Sequence, residues 1–173
     1  MIKKIPKQVI EVLEKIGAAG FEAYVVGGCV RDLIMDRIPK DWDITTSVKP
    51  EEIQKIFPDS FYENEFGTVG VKVAKFLLNS NPEREHDVVE VTTYRIESKY
   101  SDKRRPDKIR FAKTLEEDLS RRDFTMNAIA LKISQSSAFP LRPAKTGRKS
   151  SKPSCSSFEI VDPYGGQRDI KNK

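Results

Sequence analysis

The chain has 173 residues, of which 38% are apolar and 33% charged, so it is long enough for one domain with a single core. Its formal net charge is +5, and the basic excess lies within 134–157, since basic and acidic residues balance elsewhere. No apolar run could cross a bilayer, the N-terminal segment is not a signal peptide, and two cysteines make no disulfide framework. These features predict a cytoplasmic protein without a membrane partner. The single histidine, His86, excludes an ordinary zinc site or a histidine-based triad.

The first half of the chain alternates helices and strands. Residues 5–16 carry apolar side chains at helical spacing and predict a helix. AYVV at 23–26 predicts a buried strand, and the glycine pair after it turns the chain into a short helix whose apolar face ends at Ile34. WDITT at 42–46 predicts a second strand, and the next helix starts at Pro50, a residue suited to a first helical turn.

The second half is richer in strands. Apolar residues alternate at 69–73 and at 89–93, so both segments predict strands, and KIRFA at 108–112 predicts another. The remaining predicted elements are a helix at 114–119 that begins with a capping box, a helix at 123–130, a strand at 130–133, and a strand and turn at 158–166. The grouping of the strands favours an α+β fold over a doubly wound sheet.

Residues 134–157 differ from the rest of the chain. They include eight serines, three prolines, five basic residues and no acidic residue, without any periodic pattern. Such a composition cannot bury enough apolar surface to order itself. We therefore predict a flexible basic insertion within a single domain that covers residues 1–173.

Asp41 and Asp43 are separated by one residue in a predicted strand, so their side chains should point to one face. Two strand residues advance the chain by roughly 6.6 Å, and carboxylates at this spacing can bracket divalent ions that lie roughly 3.5–4 Å apart. Oxygen ligands of this kind suit Mg²⁺, which proteins commonly share with substrate phosphates. The alternative is a solvated strand end on which two carboxylates occur by chance.

Gly27 and Gly28 lie between a strand and a helix, where a backbone without Cβ atoms can approach a phosphate closely. Arg31, one turn into the helix, could donate two hydrogen bonds to the same anion. The alternative is a tight turn with a surface arginine. Neither the P-loop pattern nor the dinucleotide fingerprint is present. Together with the carboxylate pair, these residues predict triphosphate chemistry.

Seven segments follow one another in the order VVGGCVRD, KDWDI, FGTV, EVTTYRIESKY, DKRRP, LEEDLSRRDFTMNAIA and IVDPYGG. In order and spacing they resemble the class II tRNA nucleotidyltransferases, or CCA-adding enzymes, and their bacterial poly(A) polymerase relatives. The resemblance covers 23–169 and leaves 134–157 unmatched. It implies a nucleotidyltransferase-type mixed sheet with helices packed mainly on one face.

The resemblance also implies roles for individual residues. Asp41 and Asp43 would bind Mg²⁺, activate the attacking 3′-hydroxyl and stabilise the leaving pyrophosphate. Gly27, Gly28 and Arg31 would hold the incoming triphosphate. The remaining implied site residues are Arg122, which would contact the nucleotide, Asn127, near the same sugar and phosphates, and Asp123, which would hold Arg31 or Arg122 in place.

Three further segments carry weaker signals. Glu90 could supply a third carboxylate, although an exposed strand glutamate is the favoured interpretation. Residues 100–108 resemble the family's flexible loop that couples nucleotide binding to catalysis, or form a solvated hairpin. EEDLSRR at 116–122 resembles only superficially the E-D-x-x-R element that selects the base in the family's neck domain. We expect that neck, with the body and tail domains, to be absent from this chain.

The sequence therefore predicts the catalytic head of a template-independent nucleotidyltransferase that uses CTP and ATP to extend the 3′ end of tRNA. A poly(A) polymerase of the same class is the first alternative, although FGTVGVKV at 66–73 better resembles the CCA-adding pattern. A CC-only or A-only enzyme is a second, and an inactive nucleotide- or RNA-binding module a third. The oligomeric state stays open.

Overall fold

The computed structural model describes residues 4–64, 67–76, 85–97, 109–135 and 156–172. The predicted loop at 100–108 and most of the predicted insertion lie outside these residues. Within them, no helix combines the length and the apolar composition that crossing a bilayer requires.

The described residues form five α-helices and nine strands. The helices are α1 (Lys7–Ala18), α2 (Gly28–Ile34), α3 (Pro50–Ile56), α4 (Leu115–Ser120) and α5 (Gly166–Lys171). The strands are β1 (Ala23–Val26), β2 (Asp43–Thr46), β3 (Ser60–Asn64), β4 (Thr68–Val73), β5 (Asp87–Thr93), β6 (Arg95–Glu97), β7 (Ile109–Phe111), β8 (Ala130–Gln135) and β9 (Ser156–Val161). One 3₁₀ turn, Thr125–Asn127, precedes β8.

Seven of these strands form a mixed sheet in the order β3-β4-β5-β2-β1-β8-β9. β2 and β5 run parallel, and the other neighbours are antiparallel. β6 and β7 form a separate two-stranded ribbon. The strand order places β1 and β8 on one side of β2, and β5, β4 and β3 on its other side.

The two faces of the sheet are covered differently. Alternate strand residues, among them Ile44, Val69 and Val91, pack with α1, α2 and α3 into the larger core cluster. We call this the helix face. The opposite face, here the second face, carries a smaller cluster that includes Tyr24, Val26 and the α4 residue Leu119. The predicted α+β fold, with helices mainly on one face, is confirmed.

Strong local signals in the sequence gave the right elements. The helix predicted at 5–16, the strands around 23–26, 69–73 and 89–93, and the helix starting at Pro50 are all present. The capping box is also present: the Thr114 hydroxyl accepts from the Glu117 amide at 3.3 Å, and the Glu117 carboxylate accepts from the Thr114 amide at 3.3 Å.

The helix predicted at 123–130 is wrong. Only the 3₁₀ turn forms there, because the next residues are already extended and alternate between the two cores. Ile129 packs into the helix-face cluster, whereas Ala128 and Ala130 pack into the second-face cluster. Three elements, β3, β6 and α5, were not predicted.

The predicted bounds of the insertion are also wrong by two residues at each end. β8 continues to Gln135 and β9 begins at Ser156, and these two residues are paired in the antiparallel register. The serine-rich segment outside the described residues is therefore 136–155.

Candidate functional site

Gly27 makes the turn between β1 and α2. Its φ is 82° and its ψ is −137°, a conformation that only glycine adopts readily. Its amide donates to the carbonyl of Ile129 at 3.2 Å, and its carbonyl accepts from the amide of Arg31 at 3.1 Å. The turn is thereby tied both to the start of β8 and to the first turn of α2.

Several of the predicted site residues converge on this turn. A Cβ atom at Gly27 would lie 3.1 Å from Nη1 of Arg122, 3.9 Å from Oδ2 of Asp43 and 3.9 Å from the carbonyl oxygen of Asn127. The space that a Gly27 side chain would occupy is therefore bordered by residues from β2, from the segment after α4 and from the 3₁₀ turn.

Arg31 joins the same group from α2. Its Nη1 donates to Oδ1 of Asn127 at 3.0 Å, while its Nε and Nη2 both donate to Oδ1 of Asp32, at 2.9 and 2.8 Å. The guanidinium lies next to Gly28, where a Cβ would be 3.6 Å from its Nη2. Arg31 is thus held on both sides with part of its surface exposed to solvent.

Asn127 is positioned by the 3₁₀ turn, which α5 supports. Its amide donates to the carbonyl of Phe124 at 2.9 Å within the turn. The hydroxyl of Thr125, the first residue of the turn, donates to Oδ2 of Asp169 in α5 at 2.6 Å. Helix α5 therefore fixes the turn that presents Asn127 to Arg31.

Asp118, a fully buried residue of α4, organises the other side of the site. Its carboxylate accepts from the Thr45 hydroxyl at 3.1 Å, Nε of Arg121 at 3.0 Å, Nη2 of Arg122 at 3.4 Å and the amide of Arg95 at 3.2 Å. One carboxylate thus connects β2, the start of β6 and two arginines.

Arg122 is a mostly buried cation, with its side chain 19% exposed. Burial lowers the pKa of its guanidinium, and the neighbouring Asp118 opposes this effect. The group stays charged at neutral pH because arginine loses its proton only at a far higher pH. Its buried Nε has no hydrogen-bond partner among the described residues. Its Nη1 is the nitrogen that lies at the Gly27 turn.

The supporting role predicted for Asp123 falls to other residues. Asp32 contacts Arg31 and Asp118 contacts Arg122, whereas Asp123 is exposed. Asp118 lies one helical turn before Arg122, so its side chain can reach the guanidinium. Neither supporting carboxylate was recognised from the sequence, although both lie within four residues of the arginine that they contact.

The predicted metal pair spans the start of β2. Asp43 is the first residue of the strand and is half-buried, while Asp41 is exposed on the preceding bend. The prediction that both residues lie in the strand is therefore wrong for Asp41. The buried Trp42 separates them, and its carbonyl accepts from the amide of Glu90 at 3.1 Å.

Glu90 of β5 is the direct neighbour of Asp43 in the parallel register. Paired residues in adjacent strands project to the same face of the sheet, so both carboxylates lie on the second face. Glu90 is exposed, as predicted, and it is also positioned beside the metal pair. Only the pairing of β2 with β5, which the sequence does not reveal, identifies this position.

The donor set fits a hard divalent cation. Asp41, Asp43 and Glu90 offer only carboxylate oxygens, the ligand type that Mg²⁺ prefers. In the part of the chain that the structure describes, no three histidine, cysteine or acidic side chains are close enough together to hold a metal ion by themselves. Phosphate oxygens of a substrate would have to complete such a site.

Cys29 lies behind the site and takes no part in it. Its thiol donates to the carbonyl of Val26 at 3.1 Å, and burial raises its pKa to about 12. The protonated thiol is a packing group between α2 and the sheet.

Solved structures with a similar fold include nucleotide-adding enzymes. The fold matches the crystal structure of Bacillus stearothermophilus CCA-adding enzyme in complex with CTP, with a TM-score of 0.64 and 31% identity, over 95% of this chain and 31% of that one. A tRNA nucleotidyltransferase complexed with a primer tRNA and an incoming ATP analog matches with a TM-score of 0.55 and 26% identity, over 94% of this chain and 37% of that one. The fold is therefore that of a nucleotidyltransferase head.

Sequence relatives lead to the family. A CCA-adding enzyme from Listeria monocytogenes is 40% identical over 164 residues, which cover 95% of this chain and 33% of the relative. A family model described as "Poly A polymerase head domain" matches residues 23–173. The chain belongs to this family, and the resemblance drawn from the seven segments is confirmed. It spans about a third of the length of the curated relatives that it matches.

Proposed function

We propose that the chain is the catalytic head of a template-independent RNA nucleotidyltransferase, which transfers nucleotides from CTP and ATP to the 3′ end of tRNA and releases pyrophosphate. The observation that carries this proposal is the convergence of Asp43, Arg122 and Asn127 on the turn at Gly27. The CCA-adding relatives, and the matched structures with CTP or with a primer tRNA and an ATP analog, support CCA addition as the particular reaction.

The chemistry divides between anionic and cationic residues. Asp41 and Asp43 would hold Mg²⁺ and orient the 3′-hydroxyl of the RNA, and Glu90 adds negative charge at the same place. The chemistry that Mg²⁺ would supply there is activation of the attacking hydroxyl and neutralisation of charge on the leaving pyrophosphate. The half-burial of Asp43 strengthens its interaction with the cation, because the local dielectric constant is lower than that of water.

The triphosphate is held by cations that the fold has already oriented. Arg122 places its Nη1 beside Gly27, and Arg31 presents its guanidinium next to Gly28. Charge-assisted hydrogen bonds from arginine to phosphate are strong and directional. Because Asp118 and Asp32 fix the two arginines before the substrate arrives, little side-chain entropy is lost on binding.

Asp43→Asn tests this proposal, with Asp36→Asn as the matched control. Asp36 is exposed at the end of α2, where it pairs with Lys4 at 2.6 Å, away from the site. We expect Asp43→Asn to reduce CTP transfer to a tRNA lacking its 3′ CCA by at least about 100-fold, since removing a metal ligand costs several kcal/mol of transition-state stabilisation. Asp36→Asn should transfer normally.

The measurement uses labelled CTP and the longest natural polypeptide that contains the chain, with Mg²⁺ present. The melting temperatures of the two variants establish that both are folded. Transfer by Asp43→Asn within tenfold of the unsubstituted protein would refute the metal assignment. Binding of RNA and nucleotide without any transfer by the unsubstituted protein would favour the inactive binding module, and addition of adenosine alone in long runs would favour a poly(A) polymerase.

Base selection provides a second test. Arg31, Arg122 and Asn127 address phosphate and sugar, which all four ribonucleoside triphosphates share. We expect calorimetric titration of the 173-residue chain to give similar, weak, Mg²⁺-dependent affinities for ATP, CTP, GTP and UTP. A preference for CTP and ATP of more than about tenfold, or about 1.4 kcal/mol, would mean that groups reading the base lie within this chain.

A further inference from the structure

Four residues form a row across four adjacent strands beside the candidate site. Asp43 in β2 pairs with Glu90 in β5, Glu90 pairs with Gly70 in β4, and Gly70 pairs with Phe61 in β3. Neighbouring strands lie roughly 4.8 Å apart, so Gly70 is about 10 Å from Asp43. The row extends from the metal pair towards the edge of the sheet.

The ring of Phe61 lies over Gly70 on the second face. Gly70 is flanked by Val69 and Val71, which are buried on the helix face, so a Cβ at Gly70 would point to the second face. That Cβ would lie 2.5 Å from Cζ of Phe61 and 2.9 Å from both Cε atoms. The absence of a side chain at Gly70 is what allows the ring to lie on the sheet.

Phe61 is not a core residue. Its side chain belongs to neither core cluster, and the residue is 39% exposed. Its neighbour Tyr62 is also exposed, at 46%, but it pairs with Val69 and therefore projects towards the helix face. Of these two adjacent aromatic residues, only Phe61 shares the face that carries Asp43 and Glu90.

The geometry of phosphoryl transfer indicates which of the two substrates, nucleotide or RNA, approaches the site from the side of this row. The attacking and leaving oxygens lie roughly in line, on opposite sides of the phosphorus atom. Gly27, Arg31 and Asn127, which are proposed to hold the triphosphate, belong to the β1 and β8 side of Asp43. A pyrophosphate that leaves on that side favours approach of the RNA, which supplies the 3′-hydroxyl, from the β5, β4 and β3 side.

We propose that Phe61, lying over Gly70, is a stacking platform for a nucleobase at the 3′ end of the acceptor RNA. This inference rests on the proposed function, because it takes the acceptor to be RNA. Stacking of a base on an aromatic ring is tolerant of base identity, since every base has a π face. An acceptor whose terminal base changes after each addition requires a contact of this kind.

The test compares Phe61→Leu and Phe61→Trp with the matched control Tyr62→Leu. Loss of one stacked base should raise the KM for acceptor RNA by about tenfold in Phe61→Leu, while the KM for CTP and the melting temperature stay unchanged. Phe61→Trp, which keeps an aromatic surface, should retain the KM for RNA, and Tyr62→Leu should match the unsubstituted protein. An unchanged KM for RNA in Phe61→Leu, or an equal rise in Tyr62→Leu, would overturn the proposal.

A binding measurement separates this inference from the proposed function. An RNA ending in 2-aminopurine loses fluorescence when its terminal base stacks, whether or not transfer follows. We expect quenching by the unsubstituted protein and by Phe61→Trp, and much weaker quenching by Phe61→Leu. Equal quenching by all three proteins would refute the platform, whereas quenching without transfer by the unsubstituted protein would refute only the proposed activity.

Discussion

Replacing Gly27 by alanine should damage stability and nucleotide binding through two separable effects. The first is backbone strain, because the residue has a φ of 82° and a ψ of −137°. A side chain in such a region costs about 1–3 kcal/mol. In a domain of this size each kcal/mol lowers the melting temperature by roughly 2–4 °C, so we expect a decrease of about 2–12 °C.

The second effect is contact with the site. The new Cβ would lie 3.1 Å from Nη1 of Arg122, so the guanidinium must move by a few tenths of an ångström. The distance of 3.9 Å from the same Cβ to Oδ2 of Asp43 is an ordinary van der Waals contact. Loss of one hydrogen bond from a charged group costs about 1.5–3 kcal/mol, which corresponds to about 10- to 100-fold weaker CTP binding. The affinity is measured by calorimetry with Mg²⁺ present.

Gly20→Ala is the matched control for Gly27→Ala. Gly20 has a similar φ of 87°, but a Cβ there would meet no atom within 4 Å. It should therefore lose stability through strain and bind CTP normally. If Gly27→Ala binds CTP within threefold of Gly20→Ala, the placement of Arg122 at the triphosphate is wrong.

Further predictions concern Asp118, Cys29 and the segment 136–155. Asp118→Asn should lower the free energy of unfolding, measured by chemical denaturation, by about 3 kcal/mol, because it leaves buried cationic groups uncompensated. The control Glu116→Gln, at an exposed position of the same helix, should change the free energy of unfolding by less than about 0.5 kcal/mol. In a Cys155→Ser background, iodoacetamide at pH 8 should label Cys29 only after denaturation, and rapid labelling of the native chain would contradict its burial. Because folding raises the pKa of Cys29 from 9.0 to about 12, its contribution to stability is complete below pH 9 and is lost as the pH rises towards 12. Replacing 136–155 by a two-residue Asn-Gly turn should change the melting temperature by less than about 2 °C, since the strand ends are already paired, and a larger decrease would show that the segment packs.

The sequence predicted the elements whose signals are local. The 3.6-residue period of α1, the capping box at Thr114 and the alternation in β4 and β5 depend only on neighbouring residues. β3 and β6 were missed because each is a short strand stabilised mainly by its partner, β4 or β7. The segment 123–130 was assigned to a helix because Ala128, Ile129 and Ala130 are compatible with both the helical and the strand period. Only their burial in two different cores shows that the chain is extended there.

The sequence likewise predicted some residues of the candidate site and missed others. The resemblance correctly brought Asp43, Arg122 and Asn127 together, because segments in a characteristic order carry information about distant contacts. It gave no role to Asp118, which in the segment EEDL resembles an ordinary surface acid. The positions of Glu90 and Phe61 relative to Asp43 depend on the strand order and register, which arise only when distant segments pair.

Arg122 connects the stability of this head with its proposed function. Burial opposes its charge, Asp118 only partly compensates, and its Nε has no partner among the described residues. The folded chain thus maintains an incompletely neutralised cation beside Gly27. A bound triphosphate would supply the missing negative charge and hydrogen-bond acceptors, so it would stabilise the folded state as well as occupy the site. A cation held in this way is pre-organised for an anionic substrate, which is the physical basis for the nucleotide-binding role that we propose for Arg122.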